Sequence, residues 1–256
     1  MGIYTKISSK REGVILQSIA AFFDVDGTLY RDSLMVEHFK QLIKHEIIDS
    51  AKCNDMAMES FQNWDKRRGD YEDYLLKVAD IYLRSMRGQD KQNIEFMTNQ
   101  IINIKGDRVY RFTRDRIEWH KEQGHKVIFI SGSPDYLVAK MAKKYGATDY
   151  MGTKYKVDEK NRFTGEIQQM WDSDNKYYSI LKFVEKYNIS LDKSYSYGDT
   201  NGDYSMLKLV GNPIAINPAK ELILRIKDDE ELKEKIQIII ERKDVIYKLN
   251  ADVQIL

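Results

Sequence analysis

Phe22-Phe23-Asp24-Val25-Asp26-Gly27-Thr28-Leu29 is the stretch from which the fold is read. An apolar run ends in two aspartates one residue apart, followed by Gly-Thr. Ile19 to Val25 reads as a buried strand, and such a strand delivers both carboxylates to one edge of a sheet. Asp and Gly also favour turns for reasons unrelated to chemistry. The rest of the chain decides between the two readings.

With 256 residues the chain can bury a sizeable core, as one large domain or a core domain plus a smaller one. Lys plus Arg number 41 and Asp plus Glu 40, so no overall field steers the protein toward nucleic acid or an anionic membrane. Cys53 is the only cysteine; it cannot form an internal disulfide, which fits a reducing compartment. Met1 to Lys10 is polar with no apolar signal core, and the longest apolar runs are too short to span a bilayer. The expected setting is soluble and cytoplasmic.

Working outward from the first strand, Ser33 to about Lys105 turns helical. Met35, Phe39, Leu42 and Ile43 share a face; Tyr71, Tyr74, Leu75, Val78, Ala79 and Tyr82 recur at helical spacing, as do Ile94, Met97 and Ile101. This is a small all-helical insert. A helix is then expected over about Asp107–Glu122, ending at Gly124, and a strand over Lys126–Ile130 running into Ser131-Gly132-Ser133-Pro134. A helix follows to about Tyr145. A hairpin is expected from Tyr150–Val157 and Arg162–Gln168, a helix over about Asn175–Tyr187, and a strand over Ser194–Tyr197 ending at Gly198-Asp199. A short helix from about Asp203 to Leu209 and a strand near Pro213–Ile216 come next. Strands alternating with helices imply an α/β fold with a parallel sheet covered on both faces, and functional groups at the carboxyl ends of its strands. Three such ends carry polar groups: Asp24/Asp26, Ser131 and Asp199.

Those residue types suit phosphoryl transfer. Asp24 can attack phosphorus as a nucleophile, and Asp26 can protonate the leaving alkoxide and later activate water. Asp199 and Asp203 can hold a hard cation with Asp24 and a backbone carbonyl, and Mg²⁺ suits an oxygen-only site. Ser131 and the N–H groups around Gly132 form a phosphate cradle at a helix start, and Lys176 supplies positive charge. Each has a plainer reading. Ser131 to Pro134 can be only a loop and cap, Lys176 a solvated lysine, and Asp199 to Asp203 a fragment of a calcium loop whose other ligands are missing. Glu118, His120 and His125 read as surface groups, Lys66-Arg67-Arg68 as a solvated face, and Trp64, Trp119 and Trp171 as packing residues, one of which can line a pocket mouth.

Taken in order, Asp24-Val25-Asp26-Gly27-Thr28, Ser131 after an apolar strand, Lys176 at a helix start and Gly198-Asp199-Thr200-Asn201-Gly202-Asp203 resemble the motifs of the haloacid dehalogenase superfamily. The resemblance spans roughly Ile19 to Pro218. It implies a Rossmann-like core from residues 1–32 and 106–256, a helical cap from residues 33–105, Mg²⁺, and hydrolysis of a phosphate ester of a small metabolite through an aspartyl phosphate on Asp24. It also implies that the carbonyl of Asp26 touches the metal. Asp26 itself argues for phosphate over carbon–halogen chemistry, because true dehalogenases lack an acid there. The placement of the insert, and the stretches Val127 to Leu137 and Ser196 to Leu207, are similar to the phosphoserine phosphatase branch. Two positions depart from that branch: Ser33 stands where those enzymes carry a Glu for the substrate amine, and Gly202 where they carry Asn. A different or broader small substrate is therefore expected, with Ser33, Arg67 and Arg68 as candidate specificity residues. A phosphotransferase, or a silent protein that only binds a phosphorylated ligand, are the alternatives. The stretch from Ala219 to Leu256 reads as a helix packed on the core, with Leu232, Ile236, Ile239 and Ile240 as its stripe. Monomer and homodimer are both compatible with it.

Overall fold

The computed structural model describes residues 17–49, 62–63, 65–66, 68 and 71–255. Cys53, Trp64 and Arg67 lie outside the described residues. In chain order the elements are β1 (Ala20–Phe23), α1 (Leu34–Lys44), α2 (Tyr71–Met86), α3 (Lys91–Lys105), α4 (Arg111–Glu122), β2 (Lys126–Pro134), α5 (Asp135–Tyr145), β3 (Asp149–Val157), β4 (Phe163–Gln168), α6 (Ser173–Tyr187), β5 (Tyr195–Gly198), α7 (Tyr204–Leu209), β6 (Asn212–Ile216), α8 (Lys220–Asp228), α9 (Glu230–Lys235), β7 (Gln237–Arg242) and β8 (Val245–Leu249).

All four residues of β1 are buried. Successive side chains on a strand point to opposite faces. Ala21 and Phe23 therefore join Val127, Phe129 and Tyr197 in one apolar layer. Ala20 and Phe22 join Ile128, Ile130, Ile180 and Phe183 in the other. A strand buried on both faces has no polar side to show, which is why the run is continuously apolar.

The eight strands lie in the order β4-β3-β2-β1-β5-β6-β7-β8. The six from β3 to β7 are parallel, and β4 and β8 pair antiparallel at the two edges. The chain moves outward from β1 through β2 and β3, then returns to lay β5 on the other side of β1. The reversal opens a crevice at the carboxyl ends of β1 and β5. The fold is the expected α/β sheet with helices on both faces: α4 and α5 cover the Phe23 side through Ile117, Leu137 and Met141, and α6 and α7 the Phe22 side through Ile180, Phe183 and Met206.

The described part of the insert is helical. Its buried residues, among them Leu34, Phe39, Tyr82, Ile94 and Ile101, belong to the same apolar cluster as Phe23 and Phe129. A buried polar thread also links insert and sheet layer: Thr98 Oγ1 meets His38 Nε2 at 3.2 Å, His38 Nδ1 meets the Tyr82 hydroxyl at 2.8 Å, and that hydroxyl meets Tyr136 of α5 at 2.6 Å. The expected hairpin is present as β3–β4, and it leans on the turn between α2 and α3, where Gly88 N donates to Phe163 O at 2.8 Å.

Three expectations are corrected. Helix α4 starts at Arg111 rather than Asp107, with no side-chain cap of its own; the amides of Arg111 and Phe112 donate instead to the buried carboxylate of Glu241, at 2.9 and 2.8 Å. The tail is not one helix. Helix α9 stops at Lys235, and Ile239 and Ile240 lie on β7. A short apolar run fits either period, but three consecutive β-branched isoleucines suit a pleated surface; Ile238 and Ile239 enter opposite layers. His120 is not a surface group: it is wholly buried, with Nε2 2.9 Å from the Tyr197 hydroxyl and Nδ1 2.8 Å from His125 Nδ1. Burial, with Arg116 and His125 beside it, pushes its pKa down to about 3.

Candidate active site

Asp24 leaves the end of β1, its amide donating to Tyr197 O of β5 at 2.9 Å. Asp199 follows the end of β5 and Asp203 lies four residues on. The three carboxylates are buried, and each offers an oxygen within 4.8 Å of the others. Lys176, in the first turn of α6, extends among them with its Nζ 2.6 Å from Asp24 Oδ1 and 2.5 Å from Asp203 Oδ1. Asp203 Oδ2 accepts the amides of Asp199 and Thr200, both at 3.0 Å, which closes the loop after β5. Thr28 Oγ1 donates to Asp199 Oδ1 at 2.8 Å. Gly27, at φ +79°, makes the turn that lets Asp199 approach: a Cβ there would sit 2.0 Å from Asp199 Oδ2.

Among the described residues, three buried carboxylates face a single ammonium. Desolvation, with repulsion from Asp203 and Asp26, outweighs the attraction of Lys176 and raises Asp24 to about 8. Desolvation raises Asp199 well above the usual carboxylate range, and Asp24 and Asp203 add to it. Desolvation alone would lower Lys176, but Asp203 and Asp24 outweigh it and hold the amine charged. The excess of buried negative charge, on oxygen donors alone, fits a hard divalent cation held by Asp24, Asp199 and Asp203.

Asp26 sits beside this cluster. One of its oxygens accepts the Leu34 amide at the start of α1, and the other accepts Ser131 Oγ at 3.3 Å. Burial raises its pKa against hydrogen bonds from Ser133, Leu34 and Ser131. Ser131 Oγ in turn accepts the Ser133 amide at 3.1 Å.

Asp24, Asp26, Ser131, Gly132 and Lys176 line one cavity of about 650 Å³. Asp199 and Asp203 join it through Asp24 and Lys176. The four segments, far apart in sequence, thus converge on one cleft. Ser33 also lines the cavity, and its hydroxyl caps α1 by accepting the Val36 amide at 3.3 Å. Arg68 is exposed and is not among the lining residues, and Arg67 lies outside the described residues. Further walls come from Met35 of α1, from Leu75, Leu76 and Ala79 of α2, from the stretch Trp171 to Asp174, and from Thr200, Asn201 and Gly202.

Thr28 and Arg225 are residues to which sequence reasoning assigned no role. Thr28 stands inside the first motif, where a hydroxyl after Gly27 was the available signal. Arg225, on α8, reaches the cavity rim, with its guanidinium 3.6 Å from the Tyr204 ring centroid and Nη1 2.9 Å from Asn201 Oδ1. Nothing in the local sequence marks it.

Comparison with known proteins places this arrangement. The family model described as haloacid dehalogenase-like hydrolase matches residues 21–208. Histidinol-phosphatase of Neisseria meningitidis is 24% identical over 84% of this chain and 95% of its own length. Phosphoserine phosphatase SerB1 of Mycobacterium tuberculosis is 26% identical over 84% of this chain and 70% of its own. Among solved structures, a phospho-aspartyl intermediate analogue of phosphoserine phosphatase superposes with a TM-score of 0.59 at 20% identity, covering 90% of this chain and 96% of that one. The first and last motifs, the strand-end carboxylates they deliver and the extent of the family match agree: the chain belongs to the haloacid dehalogenase-like hydrolases.

Proposed function

We propose that the protein is a Mg²⁺-dependent phosphomonoester hydrolase that works through an aspartyl phosphate on Asp24. The observation that carries this reading is the buried cluster of Asp24, Asp199 and Asp203 around Lys176. Relatives named histidinol-phosphatase and phosphoserine phosphatase support phosphatase chemistry on a small phosphorylated metabolite. The near-zero net charge supports a partner that is neither nucleic acid nor membrane, and the lone cysteine supports a cytoplasmic setting. Among the described residues, no helix is long and apolar enough to cross a membrane.

Bound Mg²⁺ supplies positive charge that offsets repulsion between the carboxylates and the phosphate dianion. Lys176 engages Asp24 Oδ1, which leaves Oδ2 to attack phosphorus in line with the ester oxygen. As the P–O bond to the leaving group breaks, Asp26 gives its proton to the departing alkoxide; burial shifts its carboxyl toward the protonated form. Ser131 and the amides beside it hold the non-bridging oxygens. Asp26, now ionised, takes a proton from water, the resulting hydroxide attacks phosphorus, and the bond to Asp24 breaks to release phosphate and restore the carboxylate. The insert over the cavity limits competing water.

The test is phosphate release from an aryl phosphate with Mg²⁺ present. The reading expects turnover that stops on chelation and is lost in Asp24→Asn. Turnover without metal, or full activity in Asp24→Asn, refutes it. Phosphate transferred to an added alcohol in place of release would identify a transferase.

A further inference from the structure

The cavity has two unlike halves. One half holds the carboxylates, Lys176 and Ser131. The other draws its apolar surface from Met35, Leu75, Leu76, Ala79 and Trp171, and the lining also includes Asp172, Asp174 and Arg225. From this asymmetry we infer that Trp171 forms the floor of a leaving-group subsite that selects phosphomonoesters with a flat apolar or aromatic leaving group. The inference rests on the phosphomonoesterase reading and specifies its substrate class.

Trp171 lies in the link between β4 and α6, and its position is tightly determined. A Cβ on Gly132 would fall 2.6 Å from Trp171 Cβ, and a Cβ on Gly202 would fall 2.6 Å from the Trp171 carbonyl oxygen. The tryptophan is therefore seated directly on the backbones of the two loops that carry Ser131 and Asp203. Its other flank is anchored as well: Asp172 caps α6 by accepting the Asn175 amide at 2.7 Å, one turn before Lys176. Loops that hold the phosphate thus also fix the Trp171 Cβ from which the indole extends. This contact gives Gly202 a reason: the Asn usual in related phosphatases would drive its Cβ into the Trp171 carbonyl.

The α2 part of the lining adds an exposed apolar side chain. Leu76 is 54% exposed at the cavity mouth, an apolar side chain that nothing among the described residues covers. Ser33, at the position where a carboxylate would bind a substrate amine, carries no charge, and its hydroxyl oxygen accepts the Val36 amide in the α1 cap. A volume of about 650 Å³ falls in the range of sites that enclose a drug-sized ligand. A flat ring between Trp171 and the α2 leucines would bury both, with the offset or edge-on geometry that aromatic pairs prefer.

The experiment compares 1-naphthyl phosphate with ethyl phosphate in wild type, Trp171→Ala, Trp171→Phe and Gly202→Asn. Each variant is referred to wild type on the same substrate, so the unequal reactivity of the two esters cancels. Trp171→Ala is expected to lower kcat/KM for naphthyl phosphate about tenfold or more and for ethyl phosphate less than threefold. Trp171→Phe, which restores a ring, should recover most of the loss. Gly202→Asn should erode the naphthyl-to-ethyl ratio even though Trp171 is retained. Calorimetric binding of both esters to Asp24→Asn, with and without Trp171→Ala, reads the same subsite independently of turnover. If wild type hydrolyses neither ester, the phosphatase reading falls while the binding arm still decides the subsite. Equal losses for both esters in Trp171→Ala, or equal binding of both to Asp24→Asn, would overturn the inference.

Discussion

Replacing Lys176 by methionine keeps an unbranched side chain, one heavy atom shorter, and removes the charged Nζ. The ammonium makes two contacts, 2.6 Å to Asp24 and 2.5 Å to Asp203, and all three groups are buried. At an effective dielectric constant near 20, a contact between two full charges at this distance is worth roughly 6 kcal/mol of Coulomb attraction, and Asp24, raised to about 8, realises only part of that at pH 7.5. Desolvation of the ions takes back several kcal/mol apiece, so breaking the pair is expected to cost about 3–5 kcal/mol of stability. The carboxylates relieve part of this by taking up protons; Asp24, already raised to about 8, rises further once the ammonium is gone. Activity should fall more sharply than folding does. A fixed charge beside the nucleophile, where charge develops on phosphorus, is worth about 100- to 1000-fold in kcat. Urea unfolding at pH 7.5 and steady-state kinetics with saturating Mg²⁺ measure the two effects separately. A folded Lys176→Met protein with kcat within threefold of wild type would refute the electrostatic role assigned here to the ammonium.

Other outcomes follow from particular contacts. Because His120 is held neutral with a pKa near 3, its contribution to stability is present above the unfolded value near 6.5 and is lost as pH falls; this amounts to roughly 2 kcal/mol between pH 7 and pH 5. His120→Gln, which keeps a partner for Tyr197 but cannot titrate, should lose about that much less over the interval in urea titrations at the two pH values; equal losses would sink the assignment. Glu241→Gln weakens the contact to Arg31 Nη2, at 3.0 Å, and removes the negative charge at the start of α4, and should lower unfolding free energy by about 1–2 kcal/mol. Thr28→Val, equal in shape but without the donor to Asp199, should destabilise by about 1–2 kcal/mol and raise the Mg²⁺ concentration for half-maximal phosphate release; an unchanged requirement would separate Asp199 from the metal.

The sheet, its parallel core and the helices in the described part of the insert were legible because their signals are local. β1 is apolar throughout since both its faces are covered, and each strand that ends in the cleft advertises it with Asp24, Ser131 or Asp199. The β3–β4 hairpin was legible from two strand-like runs across a polar tetrapeptide. The tail was misread because a cluster of isoleucines satisfies helical and strand periods alike, and only a vacant edge beside β6 chooses between them. His120 was misread for a related reason: a polar residue near a helix end looks solvated until the Tyr197 hydroxyl, some eighty positions away, is found against it.

The amino-acid sequence by itself determined which carboxylates reach the sheet edge, since strand direction and side-chain alternation are consequences of neighbouring residues. Tertiary structure alone decided what those carboxylates meet: Lys176 between Asp24 and Asp203, Thr28 on Asp199, Glu241 at the head of α4, Arg225 at the rim and Trp171 seated on two glycines. Each of these contacts joins segments separated by tens to hundreds of residues, and their strength depends on distance and burial, quantities that exist only once the chain has closed on itself.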